Sequence, residues 1–287
     1  MLYPDAESWR QAPRKSVLFF GMSGLGKTHI SKLLVQEGDW FHYSIDYRIG
    51  TAGMYPHIKD NLIAHAMREP FLAEMLRADL IYLEPNIHDH DLRAVAAYLG
   101  KPGNPAKGGL EMAEYTRRQL QFRAAEVAAL NDTAHFRERA ERLYGLAHFI
   151  CDTGGSICEW VDPQDPDDPL LAALSQQCLL VWIKGDEAHT QELVRRFDLA
   201  PKPMAYQPDF LARVWVNYLR ENNCNAADVD PDAFIRWTYA QALAHRQPRY
   251  SAMARHGVTL TPDDCRQIGG PQDFEDLIAT KLTSAAP

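Results

Sequence analysis

The chain has 287 residues, 46% of them hydrophobic, so it is long and apolar enough to bury a full core and is neither disordered nor fibrous. Its formal net charge of -8 provides no general attraction to nucleic acid or to an anionic membrane, and neither is expected as a partner. It lacks an apolar run of about 18 residues and a signal-peptide pattern, and its five cysteines have no metal-binding spacing. We therefore expect a cytoplasmic protein with free thiols.

Five short segments predict the strands of a parallel sheet. Residues 16–20 are almost wholly apolar, as expected of a central strand that is covered on both faces. The other strands are predicted at residues 41–45, 148–151, 178–183 and 257–260. Helical patterns separate these segments, and alternation of strands and helices predicts an α/β fold with helices on both sides of the sheet.

The residues that follow the first strand match a phosphate-binding loop. The pattern Gly-x-x-x-x-Gly-Lys-Thr spans residues 21–28, between the predicted strand and a helical pattern that stops at Gly38. In such a loop, backbone N–H groups and a helix N-terminus converge on phosphate, the lysine reaches the β and γ phosphates, and the Thr hydroxyl ligates Mg²⁺. We therefore expect ATP and Mg²⁺ as cofactors. The predicted phosphate ligands are Gly21, Ser23, Gly24, Leu25, Gly26, Lys27 and Thr28.

Two aspartates follow predicted strands. Asp46 comes after the second strand and Asp152 after the third, and carboxyl ends of parallel strands face the same crevice. An apolar strand that ends in aspartate is typical of a Mg²⁺-binding element, so Asp152 is the predicted metal ligand. Asp46 is the predicted substrate ligand or catalytic base. Helix capping is the alternative role for both.

Roughly a hundred residues separate the second and third strands, far more than a crossover needs. We therefore predict a core of residues 1–52 and 148–287 and a mainly helical insertion, residues 53–147, as a substrate or lid subdomain. Within it, residues 100–109 form a Gly/Pro-rich loop with two lysines, either a surface connection or a substrate contact. Residues 81–83 are a candidate short strand.

Helices are also predicted in the last third of the chain. Residues 210–219 carry an apolar stripe, Asp230 is the expected N-cap of a helix that starts at Pro231, and Pro271 opens a terminal helix. The aromatic residues of these helices are expected in the core rather than stacked on nucleic acid bases.

With these motifs, the chain resembles the shikimate kinase and gluconate kinase group of P-loop kinases. Residues 44–49 look like the Asp-x-Asp-x-x-Ile substrate segment of that group, and residues 153–156 are similar to its Thr-Gly-Gly-Gly loop. Residues 246–254 resemble its Arg-x-Pro-x-Tyr-x-x-x-Ala segment. The resemblance implies a P-loop NTPase fold with sheet order 2-3-1-4-5, a mobile lid after the fourth strand, and ATP-dependent phosphoryl transfer to a small hydroxylated molecule.

The resemblance also implies roles for individual residues. Arg195 and Arg196 take the place of lid arginines that reach the transferring phosphate, although a solvated helix face is the alternative. Ser44 replaces the first aspartate of the substrate segment, and shikimate kinases have no counterpart of the insertion. We therefore expect an acceptor that is larger than shikimate or one that is held by the helical insertion. The residues assigned to the acceptor are Asp46, Arg48, Gly154, Gly155 and Arg246.

Two other functions fit the same motifs. A P-loop ATPase would couple hydrolysis to a conformational change in a partner, and a nucleotide-binding regulatory protein would bind ATP with little turnover. The sequence identifies neither the acceptor nor the oligomeric state.

Overall fold

The structure, a computed structural model, describes residues 2–88, 91–165 and 167–284. Contacts divide the chain into two compact units. The seventh helix and the twelfth helix each contribute residues to both units. Unit 1 consists of Met1–Ile45, Val127–Ala200 and Tyr239–Pro287. Unit 2 consists of Asp46–Glu126 and Pro201–Thr238.

The helices of the described residues are, in chain order, α1 (Ala6–Gln11), α2 (Lys27–Glu37), α3 (Ile45–Arg48), α4 (Tyr55–Ala66), α5 (Pro70–Arg77), α6 (Arg93–Leu99), α7 (Met112–Asn131), α8 (Thr133–Tyr144), α9 (Pro169–Gln177), α10 (Glu187–Leu199), α11 (Pro208–Glu221), α12 (Pro231–Met253), α13 (Pro262–Arg266) and α14 (Pro271–Ser284). The strands are β1 (Ser16–Phe20), β2 (Trp40–Ser44), β3 (His148–Asp152), β4 (Leu179–Ile183) and β5 (Gly257–Leu260).

The sheet of unit 1 is parallel throughout and has the order β2-β3-β1-β4-β5. This order is the predicted one, and the strand bounds agree with the prediction to within one residue at either end. The side chains of β1 and β4 are buried along their whole length, which explains why both strands are apolar runs.

Helices cover both faces of the sheet. Phe19 in β1 packs against Phe274 of α14 with ring centroids 5.8 Å apart, and the next residue, Phe20, packs against Tyr250 of α12 at 6.2 Å. Successive residues of a strand point to opposite faces, so α14 and α12 lie on opposite sides of β1. The predicted three-layer α/β/α fold class is confirmed.

Unit 2 is built mainly from helices, among them the first part of α7. A π-helical segment, Ile49–Met54, leads into α4. The phenolic hydroxyl of Tyr115 and the amide group of Gln119, both on α7, donate hydrogen bonds to the carbonyl of Met204 at 3.2 and 2.9 Å. The Gln119 side chain also accepts a hydrogen bond from the backbone N–H of Tyr206. These contacts attach residues 201–207 to α7.

The boundaries of the two units differ from those of the predicted core and insertion. Residues 127–147 belong to unit 1, where α8 contacts β2 and β3, whereas residues 201–238 belong to unit 2. Residues 81–83 were predicted as a candidate strand and have no regular structure. The role of residues 53–147 as a lid or substrate subdomain stays a prediction.

Two further expectations concern composition. None of the described helices combines the length and the apolar character that crossing a membrane requires. All five cysteines have free thiols, and four of them are buried. Burial raises the pKa of the Cys158 thiol to about 12, so this thiol stays protonated at neutral pH.

Candidate phosphate-binding site

The phosphate-binding loop, residues 21–28, connects β1 to α2. Gly21, Gly24 and Gly26 have φ angles of 125°, 76° and 98°, which disfavour any residue with a side chain. At Gly21 a Cβ atom would also lie 2.6 Å from the carbonyl oxygen of Ile183. The helix α2 begins directly after Gly26, so the loop ends at a helix N-terminus, where backbone N–H groups favour an anion.

Lys27 folds back over this loop. Its ammonium group donates hydrogen bonds to the carbonyl oxygens of Gly21 and Met22 at 3.0 and 2.8 Å, and the residue is 8% exposed. The first helical residue thus places a positive charge against the loop backbone. The role of Lys27 as a ligand of the β and γ phosphates stays a prediction.

Asp152 and Thr28 meet at the end of the sheet. Asp152 ends β3 and pairs with Phe19 of the neighbouring β1, and its Oδ2 accepts a hydrogen bond of 3.0 Å from the Thr28 hydroxyl. A hydroxyl and a carboxylate oxygen are ligands that Mg²⁺ accepts. Among the described residues, no three or more His, Cys, Asp or Glu side chains form a metal-binding group. Mg²⁺ is commonly held by one or two protein groups together with water and phosphate oxygens, so the chemistry of the Thr28 and Asp152 pair fits this cation.

His42 is a neighbour of Asp152 that the sequence interpretation missed. Its Nε2 lies 3.6 Å from the Asp152 Oδ2 and is a buried atom with no hydrogen-bond partner among the described residues. The signal was its place in β2, where it pairs with Ile150, two residues before Asp152. Position 44 of β2 pairs with Asp152, and side chains alternate along a strand, so positions 42 and 44 would lie on the same face.

The glycine loop, residues 153–161, follows β3 and is held by α12. Arg249 donates hydrogen bonds to the carbonyl oxygens of Cys158 and Val161 at 2.6 and 2.7 Å. The hydroxyl of Tyr250, the next residue, donates a short hydrogen bond to the carbonyl of Gly155. These contacts hold the backbone around Gly154 and Gly155, the residues predicted to present amides to an acceptor.

A buried ion pair joins the glycine loop to α12. Arg246 is 6% exposed, and its Nε lies 2.6 Å from Oε1 of Glu159, whose other carboxylate oxygen lies 3.6 Å from Nε2 of His245. Burial alone would raise the pKa of Glu159, but the charges and hydrogen bonds of Arg246 and His245 together outweigh burial, and the pKa is lowered. Glu159 was missed in the sequence, where no local pattern marks it. The acceptor role of Arg246 stays a prediction, and its partner here is a carboxylate.

The lid candidates Arg195 and Arg196 lie on the exposed surface of α10. Both guanidinium groups contact the carboxylate of Glu192, at 2.7 and 2.6 Å. Their hydrogen bonds lower the pKa of Glu192 to about 2. Exposed pairs of this kind are weak, so they leave the arginines able to exchange partners. The predicted contact of these arginines with a transferring phosphate stays a prediction.

A cavity of about 750 Å³ lies between α10 and α12, and Arg195 forms part of its wall. Another wall residue, Gln247, lies with its Nε2 2.6 Å from the Sδ of Met22 in the phosphate-binding loop. His189 of α10 contacts the carbonyl oxygen of Ser23 at 3.1 Å, a contact that the sequence did not indicate. The cavity therefore borders the phosphate-binding loop. Its size suits a small molecule.

The remaining acceptor candidates belong to unit 2. Asp46 and Arg48 lie in the short helix α3, immediately after β2, and both are partly exposed. The structure thus brings together the phosphate-binding loop, Asp152 and the glycine loop within unit 1. The roles of Asp46 and Arg48 rest on the sequence alone.

Comparison with solved structures gives matches of low similarity. The chain is similar to a crystal structure of shikimate kinase from Bacteroides thetaiotaomicron, with a TM-score of 0.37 and 15% identity over 92% of this chain and 95% of that chain. No protein-family model matches the chain, and no curated protein matches it. A similarity at this level carries no information about the reaction.

Proposed function

We propose that this protein is an ATP-dependent kinase that transfers the γ-phosphoryl group to a hydroxyl of a small molecule. The observation that carries the proposal is the hydrogen bond of 3.0 Å between Asp152 and Thr28, which follows Lys27 at the end of the phosphate-binding loop. A phosphate-binding loop needs a nearby carboxylate to hold Mg²⁺, and Asp152 is in reach of the predicted Thr ligand.

Different residues of unit 1 would have different roles in phosphoryl transfer. Backbone amides of the phosphate-binding loop and the Lys27 ammonium would bind and orient the phosphates, while Thr28 and Asp152 would hold the Mg²⁺ ion. When bound, Mg²⁺ supplies neutralisation of charge on the phosphate oxygens. Phosphoryl transfer depends mainly on positioning and electrostatic stabilisation, which these groups provide.

The acceptor is proposed to be small. The cavity beside the phosphate-binding loop is lined by Thr190, Gln191 and Gln247, by the carboxylates of Asp186, Glu187 and Asp198, and by apolar residues that include Val194, Ala240 and Leu243. Arg195 in the same wall could contact a phosphoryl oxygen if it exchanged its exposed partner Glu192. The acceptor ligands proposed from the sequence resemblance do not line this cavity and would contact the acceptor outside it; they are Asp46, Arg48, Gly154, Gly155 and Arg246.

The test is a screen of the purified protein with Mg²⁺-ATP against a library of hydroxylated metabolites. ADP release would be followed continuously, and phosphorylated products would be identified by mass spectrometry. We expect ADP release that requires an acceptor and is lost in Lys27→Ala. Equal ADP release without any acceptor would identify an ATPase instead, and ATP binding without turnover would identify a nucleotide-binding regulatory protein.

A further inference from the structure

Unit 2 contains a cavity of its own, of about 970 Å³. One wall is the Gly/Pro-rich loop of residues 100–109, and the others come from α6, the start of α12 and residues 202–203. The volume lies in the range of small-molecule sites. Nothing in the proposed kinase reaction uses this cavity.

The described residues that line the cavity carry an excess of positive charge. Four cations face two carboxylates there, although the whole chain has a net charge of -8. A local excess of this kind attracts anions to a concave surface. The cations are Arg93, Lys101, Lys107 and Lys202, and the carboxylates are Asp91 and Asp232.

The loop that presents two of these lysines is fixed in place. Within it, the Gly103 N–H donates to the carbonyl of Leu110 and the Asn104 N–H donates to that of Val229, each at 2.8 Å. At Gly103, whose φ is 144°, a Cβ atom would lie 2.7 Å from the carbonyl oxygen of Val229. A wall held this closely is preorganised and loses little entropy when a ligand binds.

The three lysines differ in how freely they can contact a ligand. Lys107 lies 3.8 Å from Asp230, with both side chains about half exposed, which is a weak surface pair. Lys202 is exposed, and no ion pair or hydrogen bond of its side chain is recorded within the described part of the chain. Lys101 is held at 2.6 Å by Asp232, which keeps its ammonium group at the cavity wall.

The identity of the cations indicates the class of anion. The guanidinium fork of Arg93 is already occupied by Asp91, through contacts of 2.8 and 2.6 Å. The remaining cations are lysines, whose compact point charges are common ligands of phosphate oxygens. We propose that this cavity in unit 2 binds a small phosphate-bearing molecule.

The test uses pyrophosphate as the probe and calorimetry as the measurement. Because the phosphate-binding loop also binds phosphate, every protein carries Lys27→Ala. We expect Lys27→Ala to bind pyrophosphate, and the added changes Lys101→Gln, Lys107→Gln and Lys202→Gln together to weaken binding by about tenfold or more, since charged hydrogen bonds are lost. The matched control is Lys59→Gln, which removes an ion-paired surface lysine of the same unit that does not line the cavity.

Several results would overturn the proposal. Pyrophosphate binding that is absent from Lys27→Ala, or unchanged by the three lysine substitutions, would do so, and so would an equal loss in Lys59→Gln. Tighter binding of citrate than of pyrophosphate would overturn the assignment to phosphate. If circular dichroism shows that the triple variant does not fold, the same comparison is made with Lys202→Gln alone, whose side chain has no recorded contact to lose. Its binding should still weaken.

Discussion

At the scale of single residues, Asp152 separates the metal hypothesis from helix capping. Its carboxylate accepts a hydrogen bond from the Thr28 hydroxyl at 3.0 Å. If both groups hold Mg²⁺, then Asp152→Asn should raise the Mg²⁺ concentration for half-maximal activity by about tenfold or more, because a charged ligand is lost. The measurement is a Mg²⁺ titration at saturating ATP. The exposed Asp39 supplies the control Asp39→Asn, and a titration equal to that of the control would make Asp152 a cap.

Glu159 tests whether a buried ion pair stabilises unit 1. Its side chain is fully buried against Arg246, so Glu159→Gln leaves a buried guanidinium without its carboxylate. Losing one partner of such a pair costs about 3 to 5 kcal/mol, which urea unfolding at pH 7 would measure. Glu192→Gln is the matched control, since it also removes a carboxylate paired with arginine, but on the exposed surface of α10, and should leave the unfolding midpoint unchanged.

The pH dependence of this pair follows from the sign of the pKa shift. The pKa of Glu159 is lowered in the folded protein, so its contribution to stability is full above the usual glutamate pKa of about 4.3 and is lost as the pH falls through the lower folded-state value. The difference in unfolding free energy between the parent and Glu159→Gln should therefore shrink below about pH 4. A difference that stays constant down to acid pH would exclude a charged role for Glu159.

At the scale of elements, the strands and the phosphate-binding loop were predictable because their signals are local. The strand β1 is buried on both faces and is therefore a continuous apolar run, and the glycines after it adopt the positive φ angles that the motif requires. The C-terminal end of helix α12 was harder to predict. It runs through Pro248, a residue that removes a helix hydrogen bond, and no local signal shows that the helix continues to Met253.

The contacts of α12 could not be predicted from the sequence, for a different reason. Arg246 and Glu159 are 87 positions apart, and Arg249 and Cys158 are 91 apart, so no periodicity relates them. The resemblance to a kinase segment assigned Arg246 to an acceptor without indicating a carboxylate partner. Long-range pairs of this kind depend on how elements pack, which a single sequence does not record.

Arg249 provides the prediction that belongs to the helix. It donates two hydrogen bonds to backbone carbonyls of the glycine loop, so Arg249→Ala should allow this loop to open locally. We expect faster amide hydrogen exchange in residues 155–161 and unchanged exchange in β1. The control is Arg255→Ala, further along the chain, where an exposed arginine reaches Gln164 at 3.4 Å. Equal exchange in the two variants would mean that Arg249 does not hold the loop.

At the scale of the whole molecule, the division into units was the least predictable feature. A long gap between two predicted strands indicated an extra subdomain, but it could not show that residues 201–238 join unit 2. That assignment depends on contacts such as the one between Tyr115 and Met204, 89 positions apart. A subdomain made of two distant segments has no boundary signal in composition or spacing.

Turnover is a property of the whole molecule. Asp46 is the residue whose proposed role in turnover comes most directly from the sequence. If Asp46 orients or deprotonates the acceptor hydroxyl, Asp46→Asn keeps the size of the side chain and loses its charge. Loss of a general base slows a reaction by about 10² to 10⁴, whereas loss of a helix cap costs about 1 kcal/mol of stability. The two roles therefore leave different signatures in rate and in melting temperature.

We expect Asp46→Asn to bind ATP normally, to melt near the parent temperature and to lose acceptor phosphorylation. The control is Asp60→Asn, an exposed aspartate of the same unit, which should match the parent in all three measurements. Rates are to be normalised to the folded fraction, because a destabilised protein loses activity without any change in chemistry. If Asp46→Asn melts early while its rate per folded molecule is preserved, Asp46 is a structural residue and the acceptor is activated by another group.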